Sequence, residues 1–291
     1  MRRLWAWAKI NWVVSLKSSM PDLDNEGFDS NKPMSVFLRL VQIQTGIMCV
    51  AYSGADLRRW VEVDEDSESI EVSESTEDPL AEIFVESLDE LNQSETVGNH
   101  EVDITPSASV AVLAGKSKEA RDLKARVWLC YDLRNRAEVI GCLTSCKWHR
   151  DSVFLNTRFS PSYLSQHTDL PNDLNSYWFI DVVSSVKKPA GAILLLQAYA
   201  YAARTRKRGL CMIAVSISGR NLAQSMGFKS HAYREDGAQR WLCWAAMGSL
   251  KLRQVTSRLN LGTATDKVLG DICARFGLTQ ATSERIMMRC P

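Results

Sequence analysis

From Ala125 onward the chain alternates between two hydrophobic patterns. ARVWLCYDL (Ala125 to Leu133) and EVIGCLTSCKW (Glu138 to Trp148) are β-prone runs joined by the polar RNRA, which predicts a hairpin. SYWFIDVVSSV (Ser176 to Val186) is almost continuously apolar, as a central strand buried on both faces would be. AILLLQAYAYAAR (Ala192 to Arg204) has helical spacing and suits a helix packed hard on a sheet, with Gly209 as its end. LCMIAVSI (Leu210 to Ile217) reads as another buried strand. RNLAQSM reads as a short helix closed by Gly227, and the stretch after it as strand, turn at Asp236 and Gly237, strand. The predicted order is β-hairpin, β, α, β, α, β, β. A helical crossover between two strands implies that they are parallel.

Upstream, MSVFLRLVQIQTGIMCVAY (Met34 to Tyr52) reads as one or two strands. PLAEIFVESLDEL (Pro79 to Leu91) places Leu80, Ile83, Phe84, Leu88 and Leu91 at helical spacing and predicts a short amphipathic helix. The polar stretch between Trp148 and Ser176, with Pro161 and Pro171, reads as loop with a short helix. The expected division is an N-terminal basic and aromatic extension over 1–33, a part over 34–124, a main domain over 125–249 and a helical extension over 250–291.

Charge refines this division. The net charge is +1, yet Val61 to Gly115 contains no Lys or Arg and sixteen Asp and Glu. The remainder therefore carries +17, from 35 basic and 18 acidic residues. The acidic segment, 61–104, has two readings: a solvated flexible linker, or a strap covering a basic surface. Its low-complexity character marks it as an insertion. The eight cysteines form no CxxC pair, which points to reduced thiols and a cytoplasmic setting. Cys142, Cys146 and His149 lack a fourth ligand, so no metal is expected there. The N-terminal MRRLWAWAKINWVVSLKSSM suits a presequence or a surface helix better than a secretion signal, and no stretch is long and apolar enough to span a membrane.

The stretch VKKPAGAILLL, from Val186, raises the main chemical question. One reading is a core helix whose basic tail (Arg204, Arg206, Lys207, Arg208) satisfies the helix dipole. The other is a loop and helix start that hold a phosphorylated cofactor. A helix N-terminus presents free N–H groups and partial positive charge, and small residues allow close backbone approach. Ala190, Gly191 and Ala192 are small, and Lys187 and Lys188 add charge. Pro189 removes one donor.

Over about Arg126 to Met247 the element order and local chemistry resemble the GNAT superfamily of N-acetyltransferases. Three places carry the resemblance: Asp181, Val182 and Val183 on the strand before the loop; Lys187 to Ala192, in the position of the family's Arg or Gln, two residues, Gly, one residue, Gly or Ala; and Met226-Gly227-Phe228-Lys229 after the last helix. The first motif Gly is Ala190 here, Lys187 replaces Arg or Gln, and the frequent Tyr four residues before Gly-Phe is Ala223.

The resemblance implies an α/β fold, a GNAT-like mixed central sheet flanked by helices. It implies acetyl-CoA as acyl donor, held by Val182, Val183, Lys187, Lys188, Ala190, Gly191 and Ala192. Asp181 is the candidate general base. The implied reaction is acetyl transfer to an amine on a protein or a small molecule. The alternative is an inactive GNAT-like binding or assembly protein, with nucleic acid as one partner. In the C-terminal extension, Asp266 to Met287 loosely resembles a helix-turn-helix, against a plain helical hairpin. Trp241 and Trp244, three apart on the last strand, are expected on opposite faces.

Overall fold

A computed structural model describes residues 37–38, 41–42, 44–62, 71–72, 78–96, 105–119, 125–135, 138–147, 159–167, 169–171, 173–235 and 237–247, with 259 and 274. The N-terminal extension and the helix-turn-helix resemblance lie outside the described residues, save residue 274.

Seven strands form one sheet: β1 (Ile47–Ser53), β4 (Arg126–Asp132), β5 (Glu138–Lys147), β6 (Tyr177–Ser185), β7 (Gly209–Ala214), β8 (Lys229–Glu235) and β9 (Ala238–Ala246). Their spatial order is β1-β4-β5-β6-β7-β9-β8. Every pairing is antiparallel except β6 with β7. That parallel pair is joined by α5 (Ala190–Arg204), the crossover expected from the apolar run. Two very short strands, β2 (Val61–Glu62) and β3 (Glu71–Val72), make a separate ladder.

Each face of the sheet has its own core. On one face, α5 packs Ala190 to Ala202 against Trp128, Ile140, Trp178, Ile180 and Met212. Phe37 and Val41 join this face, as does α6 (Ile217–Ser225) through Ala223. The other face is covered by α1 (Gly54–Trp60), α2 (Pro79–Thr96), α3 (Pro106–Glu119) and α4 (Pro161–Gln166). Trp241 packs on the first core and Trp244 sits in the second, so these two rings do face opposite ways.

The element order from Ala125 to Met247 follows the sequence reading, including the hairpin and the turn, where Gly237 takes φ +82. Gly209 differs. It is not merely a helix end but the first residue of β7. A Cβ there would meet the Ala245 carbonyl oxygen at 2.1 Å and the Tyr177 ring at 2.5 Å, so the crossover returns to the sheet only through glycine.

Two upstream expectations change, and β1 adds a pairing to the sheet. The described residues of 37–45 are helical, not extended. Phe37 and Val41 are four apart and both fully buried, and the Thr45 hydroxyl donates to the Val41 carbonyl at 2.7 Å. That spacing fits a helix as well as a short strand, and burial against α5's face decides it. The acidic segment 61–104 is not uniformly a solvated linker, because α2 lies within it. Of the apolar stripe predicted there, Phe84, Leu88 and Leu91 are fully buried on the sheet, and Leu80 and Ile83 are half-buried. Acidic side chains occupy only its outer side, which is why composition alone suggested a linker. Finally, β1 pairs with β4 over Ile47–Ser53, so the part over 34–124 and the main domain share one sheet.

Candidate functional site

β6 pairs with β7 only from Tyr177 to Ile180, opposite Gly209 to Met212. Beyond that point the two strands part. β7 continues to Ala214 against β9, while Val182 to Ser185 continue against β5 alone. Among the described residues, no strand pairs with the β6 edge from Asp181 onward on the side where a parallel neighbour would be, which leaves a gap in the described sheet. The burial pattern follows: Tyr177 to Ile180 are buried, Asp181 to Ser184 half-buried and Ser185 exposed. Val186, just past β6, is 41% exposed, and Val215 and Ile217, just past β7, are 43% and 63% exposed. Apolar side chains therefore stand at both lips of the gap.

Asp181 is the irregular position of this strand. The register passes from Val182 opposite Thr144 to Ile180 opposite Ser145, leaving Asp181 as the extra residue of a bulge. Bulges re-aim side chains. Here the Asp181 carboxylate meets α3, and Ser109 Oγ donates to its Oδ2 at 2.6 Å. Ser109 Oγ also lies 2.8 Å from Thr144 Oγ1, which accepts from the Val182 N–H at 3.2 Å. A carboxylate only accepts and each hydroxyl has one proton. The direction is therefore fixed: Val182 N–H to Thr144, Thr144 O–H to Ser109, Ser109 O–H to Asp181. Ser109 and Thr144 are buried, so this chain holds the bulge and the carboxylate in one geometry.

The loop and helix start follow directly. Ala190, Gly191 and Ala192 open α5 and are all buried. The Ala190 N–H donates to the Lys187 carbonyl at 3.0 Å and the Ala192 N–H to the Pro189 carbonyl at 2.9 Å. A Cβ on Gly191 would come within 3.0 Å of both Leu222 and the Ser185 hydroxyl, so glycine lets α5 start close under the end of β6.

The two lysines part company. Lys188 is exposed at the loop tip. Lys187 Nζ instead pairs with Asp132 Oδ2 at 2.6 Å, tying the loop to the end of β4. Burial works to raise the Asp132 carboxyl, but the Lys187 ammonium and the backbone N–H groups of Arg134 and Asn135 outweigh it and hold it below the usual range. The hydrogen bond from Lys187 to Asp132 raises the lysine in turn. Ala223, where the resembling family often has Tyr, is fully buried in the α5 core. It offers no proton to a site.

The structure thus brings Asp181, Val182 and Val183 to one open strand edge, with Lys187, Lys188, Ala190, Gly191 and Ala192 at the turn that follows. Sequence reasoning missed Ser109, Thr144 and Asp132. Ser109 is a small residue in SASVAV, and only the pairing of α3 with β6 gives it a role.

No protein-family model and no curated protein matches the chain. Several solved structures are similar in fold. They include TofI in an apo form, with a TM-score of 0.35 and 19% identity over 54% of this chain and 89% of that one. A putative GnaT-family acetyltransferase from Bordetella pertussis has a TM-score of 0.35 and 16% identity over 55% and 89%. The AHL synthase LasI has a TM-score of 0.37 and 9% identity over 69% and 90%. Superpositions this loose transfer no site residue. From Arg126 onward the described chain runs as an antiparallel hairpin and third strand, a helical crossover to a parallel fourth, then a short helix and two more strands, the order predicted from the sequence.

Proposed function

We propose that the chain is an acyl-CoA-dependent N-acyltransferase that moves an acetyl group from acetyl-CoA to an amine. One observation carries the reading: β6 loses its parallel neighbour at Asp181, and the unpaired edge runs straight into a small-residue helix start. An extended amide-bearing arm such as pantetheine fits an open strand edge by β-augmentation. The pyrophosphate at its end meets the N-terminus of α5, where dipole and N–H groups favour anions. The Gly191 N–H, between the two amides already taken, is the donor in the best position, with Lys188 as the mobile cation.

The chemistry then uses few groups. The amine attacks the thioester carbonyl, forming the C–N bond and placing charge on the carbonyl oxygen, which a backbone N–H of the open edge stabilises. The C–S bond breaks, CoA leaves as the thiolate, and the proton lost by the amine passes to Asp181 directly or through water. Positioning supplies much of the rate, so the alanine at 223 does not forbid turnover.

The test is calorimetric titration of the purified chain with acetyl-CoA. Saturable binding is expected, abolished by Gly191→Glu and weakened by Lys188→Glu, whose exposed position leaves the fold intact. Absence of binding to the wild type overturns the reading. A second reading, a GNAT-like binding or assembly protein without turnover, is favoured by two specific features: Ala223 is buried, and Lys187 is held by Asp132. Acetyl-CoA binding with no CoA release against a panel of amines would select it.

A further inference from the structure

On the face covered by α2, α3 and α4, between the end of α4 and β8, three ligating side chains converge. His167 caps the C-terminal end of α4. Asp169 follows two residues later, and His231 lies on β8. One ligating atom from each falls within 4.8 Å of the others. His231 Nδ1 is 3.2 Å from Asp169 Oδ2, and the His167 and His231 rings have centroids 4.8 Å apart. Tyr163, one helical turn before His167, stacks on it at 4.4 Å and places its hydroxyl 3.1 Å from His231 Nε2.

We propose that His167, Asp169 and His231 form a binding site for a divalent transition metal ion, zinc foremost. The donor set is two imidazoles and one carboxylate, which suits borderline ions of the zinc type and not the hard, all-oxygen preference of calcium or magnesium. Bonds of about 2.0–2.2 Å to a tetrahedral ion require the most widely separated ligating atoms to draw together by up to about 1.5 Å. The site allows this. Asp169 is the exposed member, and the loop that carries it is anchored by the buried Leu164 and Leu170 on either side. His231, by contrast, is mostly enclosed and fixed on the sheet. Three protein ligands leave a fourth position open, while the Tyr163 hydroxyl stays on His231 Nε2, the ring nitrogen turned away from Asp169, and steadies the imidazole. Binding would clasp the loop after α4 to β8, the strand at the sheet's edge. The proposal is independent of acyl transfer.

Without metal, the same groups make a sufficient Tyr–His–Asp chain. The Nδ1 proton of His231 would go to Asp169, and Nε2 would accept from Tyr163. The experiment must therefore detect the ion itself. The full chain, stripped with chelator, is titrated with zinc by calorimetry and with cobalt(II) by absorption. The expected result is one ion per chain and a rise in melting temperature on loading. Cobalt(II) should show ligand-field bands without intense thiolate-to-metal charge transfer, since cysteines take no part. Asp169→Asn, at the exposed ligand, should weaken zinc by at least about 10-fold, and His167→Ala with His231→Ala by at least about 100-fold. No stoichiometric binding overturns the proposal. So does binding retained in Asp169→Asn and in the double variant, or a strong charge-transfer band, which would assign the ion to cysteines.

Discussion

Tyr177 to Ile180 and Asp181 to Ser185 are consecutive stretches of one strand, and their sequences differ little in apolar character through Val183. The first stretch has a neighbour on each side and is buried throughout; the second has β5 on one side and, among the described residues, no strand on the other. The difference arises next door. β7 turns with β9 after Met212, and a bulge at Asp181 lets β6 bend away. One strand thus supplies core with its first half and an unpaired backbone edge with its second. A site for an extended ligand needs both: a rigid half to fix position and an open half to bind.

The sharpest way to break this contrast is to truncate one residue in each half. Trp178 is buried, packs edge-on against Tyr201 at 5.2 Å and donates from Nε1 to Ser145 Oγ at 2.5 Å. Trp178→Ala should cost about 3–5 kcal/mol in denaturant unfolding. Val183 is half-buried, and Val183→Ala should cost only about 1 kcal/mol or less. In the acyl-transfer reading it weakens acetyl-CoA nonetheless. Equal losses of stability would mean that the second half is core as well.

A smaller effect separates the held carboxylate from the strand that carries it. Ser109→Ala removes the donor to Asp181 and leaves the buried Thr144 hydroxyl without its acceptor, for about 1–3 kcal/mol. If Asp181 is the base, losing the hydroxyl that holds its carboxylate in place should lower kcat while leaving acetyl-CoA affinity largely unchanged. A loss of stability with kcat unchanged would leave Ser109 a structural residue and remove Asp181 from the proton's path.

The halves of β6 were unequally legible in the sequence. Continuous apolarity correctly indicated a central strand, and the helical spacing after Ala192 indicated the crossover, because both patterns follow from burial. Nothing in SYWFIDVVSS marks where the neighbour ends, since that depends on the path of β7. The same limit hid Ser109 and Asp132, whose roles arise only when α3 crosses β6 and the Lys187 loop meets β4. His167 and Asp169 sit in a polar run that reads as loop, and His231 lies 62 residues beyond Asp169. Patterning reports which face is buried; it does not report which polar groups meet across the finished fold. Composition suggested a linker over 61–104, but the spacing of apolar residues in Pro79 to Leu91 already indicated the helix that packs there.

The smallest expected effect concerns the loop's two lysines, one braced and one free to reach a ligand. Asp132 is held below its ordinary range in the folded chain, so its charged form favours folding. That contribution is present above the unfolded value of about 3.9 and is lost as pH falls through the lower folded value. Asp132→Asn should therefore lower stability at neutral pH, and the gap from wild type should close as the medium is acidified below about pH 4. A gap that stays constant across the acid range would show that the Asp132 charge does not matter. Releasing Lys187 from Asp132 also bears on the site itself. The freed ammonium can then turn toward a bound phosphate beside Lys188, so Asp132→Asn should not weaken acetyl-CoA even as it loosens the loop. A marked loss of affinity would instead show that the Lys187 brace shapes the cradle, and that the order of the loop matters more there than its charge.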